Sequence, residues 1–390
     1  MSNKSYTSKY IISLLRSVLN GSTVQEYTRD IDWEYFLTVA KEHHIENILF
    51  YALKKIEIKP PKFVLDYINA EHVKSVMRTA TQQGEIEHII DNFNNNKIRF
   101  LALKGYFIKN YYPSSDMRYM SDFDVFIDMQ NAAKVREILE NIGYTFELCG
   151  KVHDNYVKRP VMHIEVHKYL MDDDMKTIAE YYDSFDAFGK GEHSTDTPYE
   201  YTLSKDDFYI YMIAHFAKHY LTYGIGIISV IDIYLFRKTN KLNYVYIESE
   251  LKKLELTELN KKVVALSQIW FDDNVVDNSL EEMSNYIISS GSYGKAKNAV
   301  INNFINGSKQ NDSLFIKKIK YFFFMVFPDK EYLSGKYPIV KEKPYLLPLY
   351  WVKRFFSSIF CNRQAIKLKL FTIFRTKNKD IDFHTEINKH

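Results

Sequence analysis

Cysteine is nearly absent from this sequence of 390 residues: Cys149 and Cys361 stand far apart and belong to no cysteine-rich ligand pattern. That argues against a disulfide framework and against a zinc–thiolate site. Long apolar runs are missing too. The longest candidate, Tyr321 to Phe327, falls well short of the roughly 20 residues that cross a bilayer. The segment Met1 to Tyr10 is polar and has no apolar signal core, so the expected location is the cytoplasm. Charge of one sign is also scarce. The formal net charge of +3 lacks the basic excess of a dedicated nucleic-acid binder, although it leaves room for a local basic patch. There is no internal repeat and no long low-complexity linker.

What is present is a length that suggests two or three domains. A hydrophobic content of 46% supplies substantial cores, with 31 Tyr and 27 Phe among them. Up to about Asn96 the periodicity is helical. Ile86, Ile89, Ile90 and Phe93 fall on one helix face, and Asn94-Asn95-Asn96 ends that helix. Ile98 to Leu103 then reads as a strand, Tyr106 to Tyr111 as a short helix, and Asp122 to Ile127 as a second strand. Ala132, Val135, Ile138, Leu139 and Ile142 make an amphipathic helix closed by Gly143. Three further strands are expected over Tyr144 to Cys149, Val152 to Val157 and Val161 to His167. Helical periodicity returns at about Leu203, with Ser204 or Asp206 as its cap. The fold class expected is α+β. The divisions expected are an N-terminal helical region (1–96), a mixed core (97–202), a helical domain (203–311) and a basic, aromatic C-terminal segment (312–390).

The chemistry concentrates at Ser121-Asp122-Phe123-Asp124-Val125-Phe126-Ile127. Alternate side chains of a strand share a face. Asp122 and Asp124 therefore project together, while Phe123, Val125 and Ile127 enter a core. Paired carboxylates repel, and a fold accepts them when a divalent cation sits between them. Hard oxygen ligands suit Mg²⁺, which binds one or two carboxylates together with substrate phosphates. Upstream, a strand delivers Lys104-Gly105. Downstream, Glu165 stands alone between Ile164 and Val166. This order suits metal-dependent phosphoryl chemistry.

Glycine, then Asp-x-Asp, then an isolated third acid resembles the signature of the polymerase-β-like nucleotidyltransferases. Leu103-Lys104-Gly105, Tyr112-Pro113, Arg118, Ser121-Asp122-Phe123-Asp124 and Glu165-Val166-His167 resemble, more narrowly, an uncharacterised bacterial nucleotidyltransferase family within that superfamily. His215-Phe216-Ala217-Lys218-His219 with Gly226 and Asp232 is similar to that family's second block. Phe327-Pro328, Tyr332-Leu333, Tyr337-Pro338 and Leu346-Leu347-Pro348 with Trp351 are similar to its tail. The resemblance implies a polymerase-β-like core flanked by helical regions. It also implies transfer of a nucleoside monophosphate from an NTP, ATP among the candidates, to an unidentified small-molecule or macromolecular acceptor, with Mg²⁺ or Mn²⁺ as cofactor. Asp122, Asp124 and Glu165 would then be catalytic and metal-binding, and Lys104 and Gly105 would hold phosphates. Many members of the superfamily carry Gly-Ser or Gly-Gly where this chain has Lys104-Gly105. Lys104 would replace a hydroxyl by a point charge.

Other residues carry two readings each. Arg118 orients a phosphate or pairs with Asp116 or another surface acid. Ser121 touches a ligand or caps a turn. His163 and His167 share the face of Glu165, which makes His167 a candidate nucleotide contact as well as a packed core residue. Lys218 and His219 either face the phosphates from the helical domain or serve only the helix. His215 and His219 have a metal-compatible i, i+4 spacing but no evident third ligand. The stretch from Lys341 to Lys379 is basic and interleaved with Trp351, Phe355, Phe356, Phe360, Phe371 and Phe374. It reads as a helix packing its aromatic side on the domain, as a peripheral membrane contact or as an RNA-binding face. A protein that keeps the fold without turnover, acting as a nucleotide-binding scaffold, is the alternative to the enzyme.

Overall fold

The computed structural model describes all residues except 1–2, 25, 173–174, 194–196, 273–278, 307–311, 331–332, 334–336, 338, 362–369, 379–380 and 382–390, and leaves the side chains of 303, 306 and 355–361 undescribed. The chain forms two units. One comprises Met1–Lys218 and Ile225–Ser292, and the other His219–Gly224 and Tyr293–His390.

The first unit opens with four helices, α1 (Asn3–Asn20), α2 (Trp33–His43), α3 (Glu46–Leu53) and α4 (Lys62–Asn95). Strand β1 (Phe100–Ala102) follows, then the one-turn helix α5 (Gly105–Ile108), β2 (Phe123–Ile127), α6 (Ala132–Asn141), β3 (Thr145–Cys149), β4 (His153–Lys158) and β5 (Met162–His167). After α7 (Lys176–Asp183) come β6 (Glu192–His193) and β7 (Glu200–Thr202), then α8 (Lys205–Thr222), α9 (Ile227–Thr239), α10 (Tyr244–Lys253), α11 (Thr257–Phe271) and α12 (Glu281–Ser290). The seven strands make one mixed sheet in the order β3-β4-β5-β2-β1-β7-β6. The α+β class read from the sequence is the class observed.

The sheet has one apolar face. Phe123, Val125 and Ile127 of β2 pack with Ile164 and Val166 of β5, with Ile86, Ile89, Ile90 and Phe93 of α4, and with Val135, Ile138 and Leu139 of α6. Each such side chain contributes about 1.5–3 kcal/mol on burial. A slip of one residue in β2 would drive Asp124 into this core, so the register is strongly fixed. The alternation that buries Phe123, Val125 and Ile127 is therefore what holds Asp124 on the opposite face.

Strand β1 is shorter than the sequence suggests. Lys97 takes a positive φ of 56°, and the Ile98 N–H donates to Phe93 O at 2.9 Å, closing helix α4. Residues 97 and 98 thus belong to the helix exit. Gly143, at φ 91°, ends α6 as expected. Ser204 caps α8: its Oγ accepts the Asp207 N–H at 3.1 Å.

The second unit contains α13 (Ala296–Asn306), α14 (Leu314–Val326) and a helix over Leu347–Cys361. Val300, Phe304, Ile373 and Ile381 form its small core. Trp351 donates from Nε1 to Pro328 O at 2.8 Å, and its ring meets Phe327 edge-on at 5.2 Å. These tail motifs therefore recognise each other. Phe371 and Phe374 are exposed. Tyr332, Pro338 and the side chains of Phe355, Phe356 and Phe360 lie outside the described residues. Among the described residues, no helix is long and apolar enough to cross a membrane.

Candidate active site

Strands β2 and β5 run parallel, with Asp124 opposite Glu165, Val125 opposite Val166 and Phe126 opposite His167. Residues paired across a sheet share a face, and so do residues two apart on one strand. Asp124, Glu165 and His167 therefore meet on the polar side. Strand β4 extends the arrangement, with His153 opposite His167 and Asn155 opposite Glu165. His167 Nε2 lies 2.9 Å from Asp124 Oδ1 and 3.4 Å from Glu165 Oε2. His153 Nε2 lies 3.7 Å from Glu165 Oε1. The Lys104 ammonium approaches Asp124 Oδ1 to 3.2 Å.

The electrostatics separate the two aspartates. Burial opposes ionisation of Asp124, but the Lys104 charge and the His167 hydrogen bond outweigh it and hold this carboxyl well below the usual range. Burial, joined by the charges of Asp124 and Glu165, pushes Asp122 up to about 7. Burial also works against the Lys104 charge, yet Asp124, Tyr211 and Glu165 keep its pKa raised. At His167 burial again disfavours the charge, but the neighbouring Asp124 and Glu165 carboxylates overcome it and raise the imidazole. Burial dominates at His153 and lowers it. The site thus carries more carboxylate than its own cations neutralise, and the deficit falls on Asp122. A divalent cation relieves such a deficit, so the donor set fits one.

Asp122 immediately precedes β2. With Ser121, Tyr119, Asn155, His163 and Glu165 it lines a cleft of about 250 Å³. Tyr119 is fixed at the rim by the stacked His44 ring, with centroids 4.1 Å apart, and by Arg78 at 4.7 Å. Lys104 turns the chain from β1 into α5 with φ 43° and ψ −117°. A side-chain-bearing residue holds this left-handed backbone at a cost of about 1–3 kcal/mol, a strain that clusters at functional sites. Gly105 lies against Met120, whose Cγ would stand 3.4 Å from an added Cβ, an ordinary contact.

Several sequence-predicted residues have other partners. Arg118 does not pair with Asp116. Its guanidinium grips Asp232, from Nε to Oδ1 at 2.9 Å and from Nη2 to Oδ2 at 2.8 Å. Tyr112 donates to the same carboxylate at 2.6 Å. Asp116 is held by Asn47 at 2.6 Å and Tyr51 at 2.9 Å. Tyr112 and Arg118, with the distant Asp232, therefore form one lock between the 112–118 segment and α9. The Lys218 ammonium is bound to Asp172 at 2.5 Å. His219 falls in the second unit.

Sequence reasoning missed His153, Asn155 and Tyr211. The first two alternate along β4 on the Glu165 side, but only the β4–β5 register reveals it. Tyr211 stands one helical turn before His215 on α8. It feels the charges of Lys104, Asp124 and Glu165, and its hydroxyl is buried with no hydrogen-bond partner among the described residues. A tyrosine in a predicted buried helix gives no signal of that kind.

A parallel Asp–Glu pair beside a second aspartate, with a lysine turn at the end of the neighbouring strand, is the arrangement expected of a nucleotidyl-transferring domain. The chain belongs to the uncharacterised nucleotidyltransferase family, whose model matches residues 29–272. The resemblance drawn from the sequence motifs is thereby borne out. No curated protein is significantly similar to the chain. Among solved structures, the solution structure of the antibiotic-resistance factor ANT(2'')-Ia shares 12% identity with it. That match covers 48% of this chain and 95% of that one, with a TM-score of 0.34.

Proposed function

We propose that the protein transfers a nucleoside monophosphate from an NTP to an acceptor hydroxyl, with release of pyrophosphate. The observation that carries this reading is the in-register pairing of Asp124 with Glu165, with Asp122 strained toward neutrality beside them. Asp122, Asp124 and Glu165 would hold Mg²⁺ or Mn²⁺, which supplies neutralisation of the triphosphate and of the charge that develops on it. Lys104 contributes a permanent positive charge to the phosphates. Asp124 stays ionised throughout, since Lys104 and His167 both favour its charged form. The Glu165 side chain is 25% exposed against 9% for Asp124. Glu165 is therefore the carboxylate accessible to an acceptor, and it takes the hydroxyl proton. The acceptor oxygen forms its bond to the α-phosphorus, and the bond from that phosphorus to pyrophosphate breaks.

The test is purified protein with Mg²⁺ and each labelled NTP, scored for pyrophosphate and for labelled acceptor. Asp122→Asn with Asp124→Asn should abolish both signals. Unchanged turnover in that double variant would remove the mechanism. NTP binding without pyrophosphate release in the wild type would favour the scaffold alternative.

A further inference from the structure

We propose that His153, Glu165 and His167 form a binding site for a first-row transition dication, with selectivity for Zn²⁺, Co²⁺ or Mn²⁺ over Mg²⁺. The site shares Glu165 with the reading above but does not depend on nucleotidyl transfer.

The geometry carries it. One ligand atom from each of the three residues lies within 4.8 Å of the other two. The Glu165 carboxylate is central, 3.7 Å from His153 Nε2 at one oxygen and 3.4 Å from His167 Nε2 at the other. Both separations exceed a good N–H···O hydrogen bond, which ends at about 3.2 Å, so the three groups do not satisfy one another. They are close to the spacing of co-ligands, the 3.4 Å separation within it and the 3.7 Å one just beyond. Bonds of about 2.0–2.1 Å to one ion set neighbouring donors roughly 3–3.5 Å apart. Asp124 Oδ1 lies 2.9 Å from His167 Nε2 and is the hydrogen-bond partner of that imidazole. The ion would take the place of the proton that His167 shares with Asp124. Asn155, the register partner of Glu165, has a buried Oδ1 without a hydrogen-bond partner among the described residues and offers a further oxygen.

The chemistry of the donors sets the selectivity. Two imidazole nitrogens with one carboxylate suit zinc, cobalt, iron and manganese, whereas magnesium takes oxygen donors and water. Asp122 is the all-oxygen side of the cluster and His153 the nitrogen side. Mg²⁺ is therefore expected to bind through Asp122 and Asp124 without engaging His153.

Titration of the metal-free full-length protein with Co²⁺, followed by visible absorption, tests this directly. The wild type should develop the intense d–d bands of a low-symmetry nitrogen-containing site, unchanged by excess Mg²⁺. His153→Ala should weaken Co²⁺ binding by about tenfold or more, since even outer ligands of a metal site carry that much. His153→Asn, which keeps a polar side chain on β4, should do the same, and circular dichroism checks that both variants fold. Asp122→Asn should retain the Co²⁺ spectrum while losing NTP turnover in Mg²⁺. An aqua-like spectrum, ready displacement by Mg²⁺, or equal affinity in folded His153→Ala would overturn the proposal. Absence of NTP turnover in every sample, with the Co²⁺ spectrum intact, would count against the transfer reaction alone.

Discussion

Replacing Asp122 by asparagine should make the metal-free protein more stable while disabling it. The Asp122 carboxyl rises from its ordinary 3.8 to about 7, through burial first and then through the charges of Asp124 and Glu165. The folded state therefore holds this proton more tightly than the unfolded chain. Stability is fully present below about pH 4 and falls as the pH climbs to about 7, where ionisation in the fold becomes possible. At about 1.4 kcal/mol per pH decade the interval amounts to roughly 4 kcal/mol, which solvent screening at the cleft reduces to about 2–4 kcal/mol. The asparagine side chain has no charge to suppress. In EDTA at pH 8 the Asp122→Asn variant should gain that amount, seen as a rise of several degrees in Tm. At pH 5 only about a third of the gain should remain, because little of the interval has been crossed. Excess Mg²⁺ should stabilise the wild type and leave the variant unmoved. Calorimetric scans at the two pH values, with EDTA and with Mg²⁺, supply all four comparisons. A variant less stable than wild type at pH 8, or equally stabilised at both pH values, would refute the reasoning.

Other perturbations have equally definite outcomes. Asp232→Ala strands the Arg118 guanidinium and the Tyr112 hydroxyl in a buried site. It should cost about 3–5 kcal/mol in urea denaturation, the range for breaking one side of a buried pair. Tyr211→Phe removes a buried hydroxyl that has no hydrogen-bond partner among the described residues, so metal-free stability should hold or rise by about 1 kcal/mol while NTP turnover drops. A clear loss of stability would show that the hydroxyl is engaged. Gly105→Ala meets only the flexible Met120 side chain at 3.4 Å and should cost less than about 1 kcal/mol by thermal denaturation.

The parts of the fold legible in the sequence were those written locally. The i, i+3, i+4, i+7 face of α4 and the alternation in β2 each point to a buried surface, and both enter the same core. Gly143 and Ser204 end and begin helices where their chemistry requires. The Asp124–Glu165 encounter was an expectation from the family resemblance: alternation placed each acid on a polar face, and the β2–β5 pairing brings the two together. Long-range partners were not legible. Arg118 binds an acid 114 residues away, and local sequence favoured the nearby Asp116, which Asn47 and Tyr51 had already claimed. The approach of the Lys104 ammonium to Asp124, at 3.2 Å, was not legible either. His153 entered the site through strand register alone. Periodicity tells which way a side chain faces, and pairing decides whom it meets.

The parallel pairing of β2 with β5 also governs when the site comes into being. A helix and two further strands intervene between Asp124 and Glu165, so the chain must complete a long excursion before these acids become neighbours. Local hairpins and helices form ahead of such distant closures. The mutual repulsion of the acids is thus deferred until the sheet is nearly assembled and its hydrophobic face can hold it in check. A nascent chain that ends before Glu165 carries the two aspartates without the third acid.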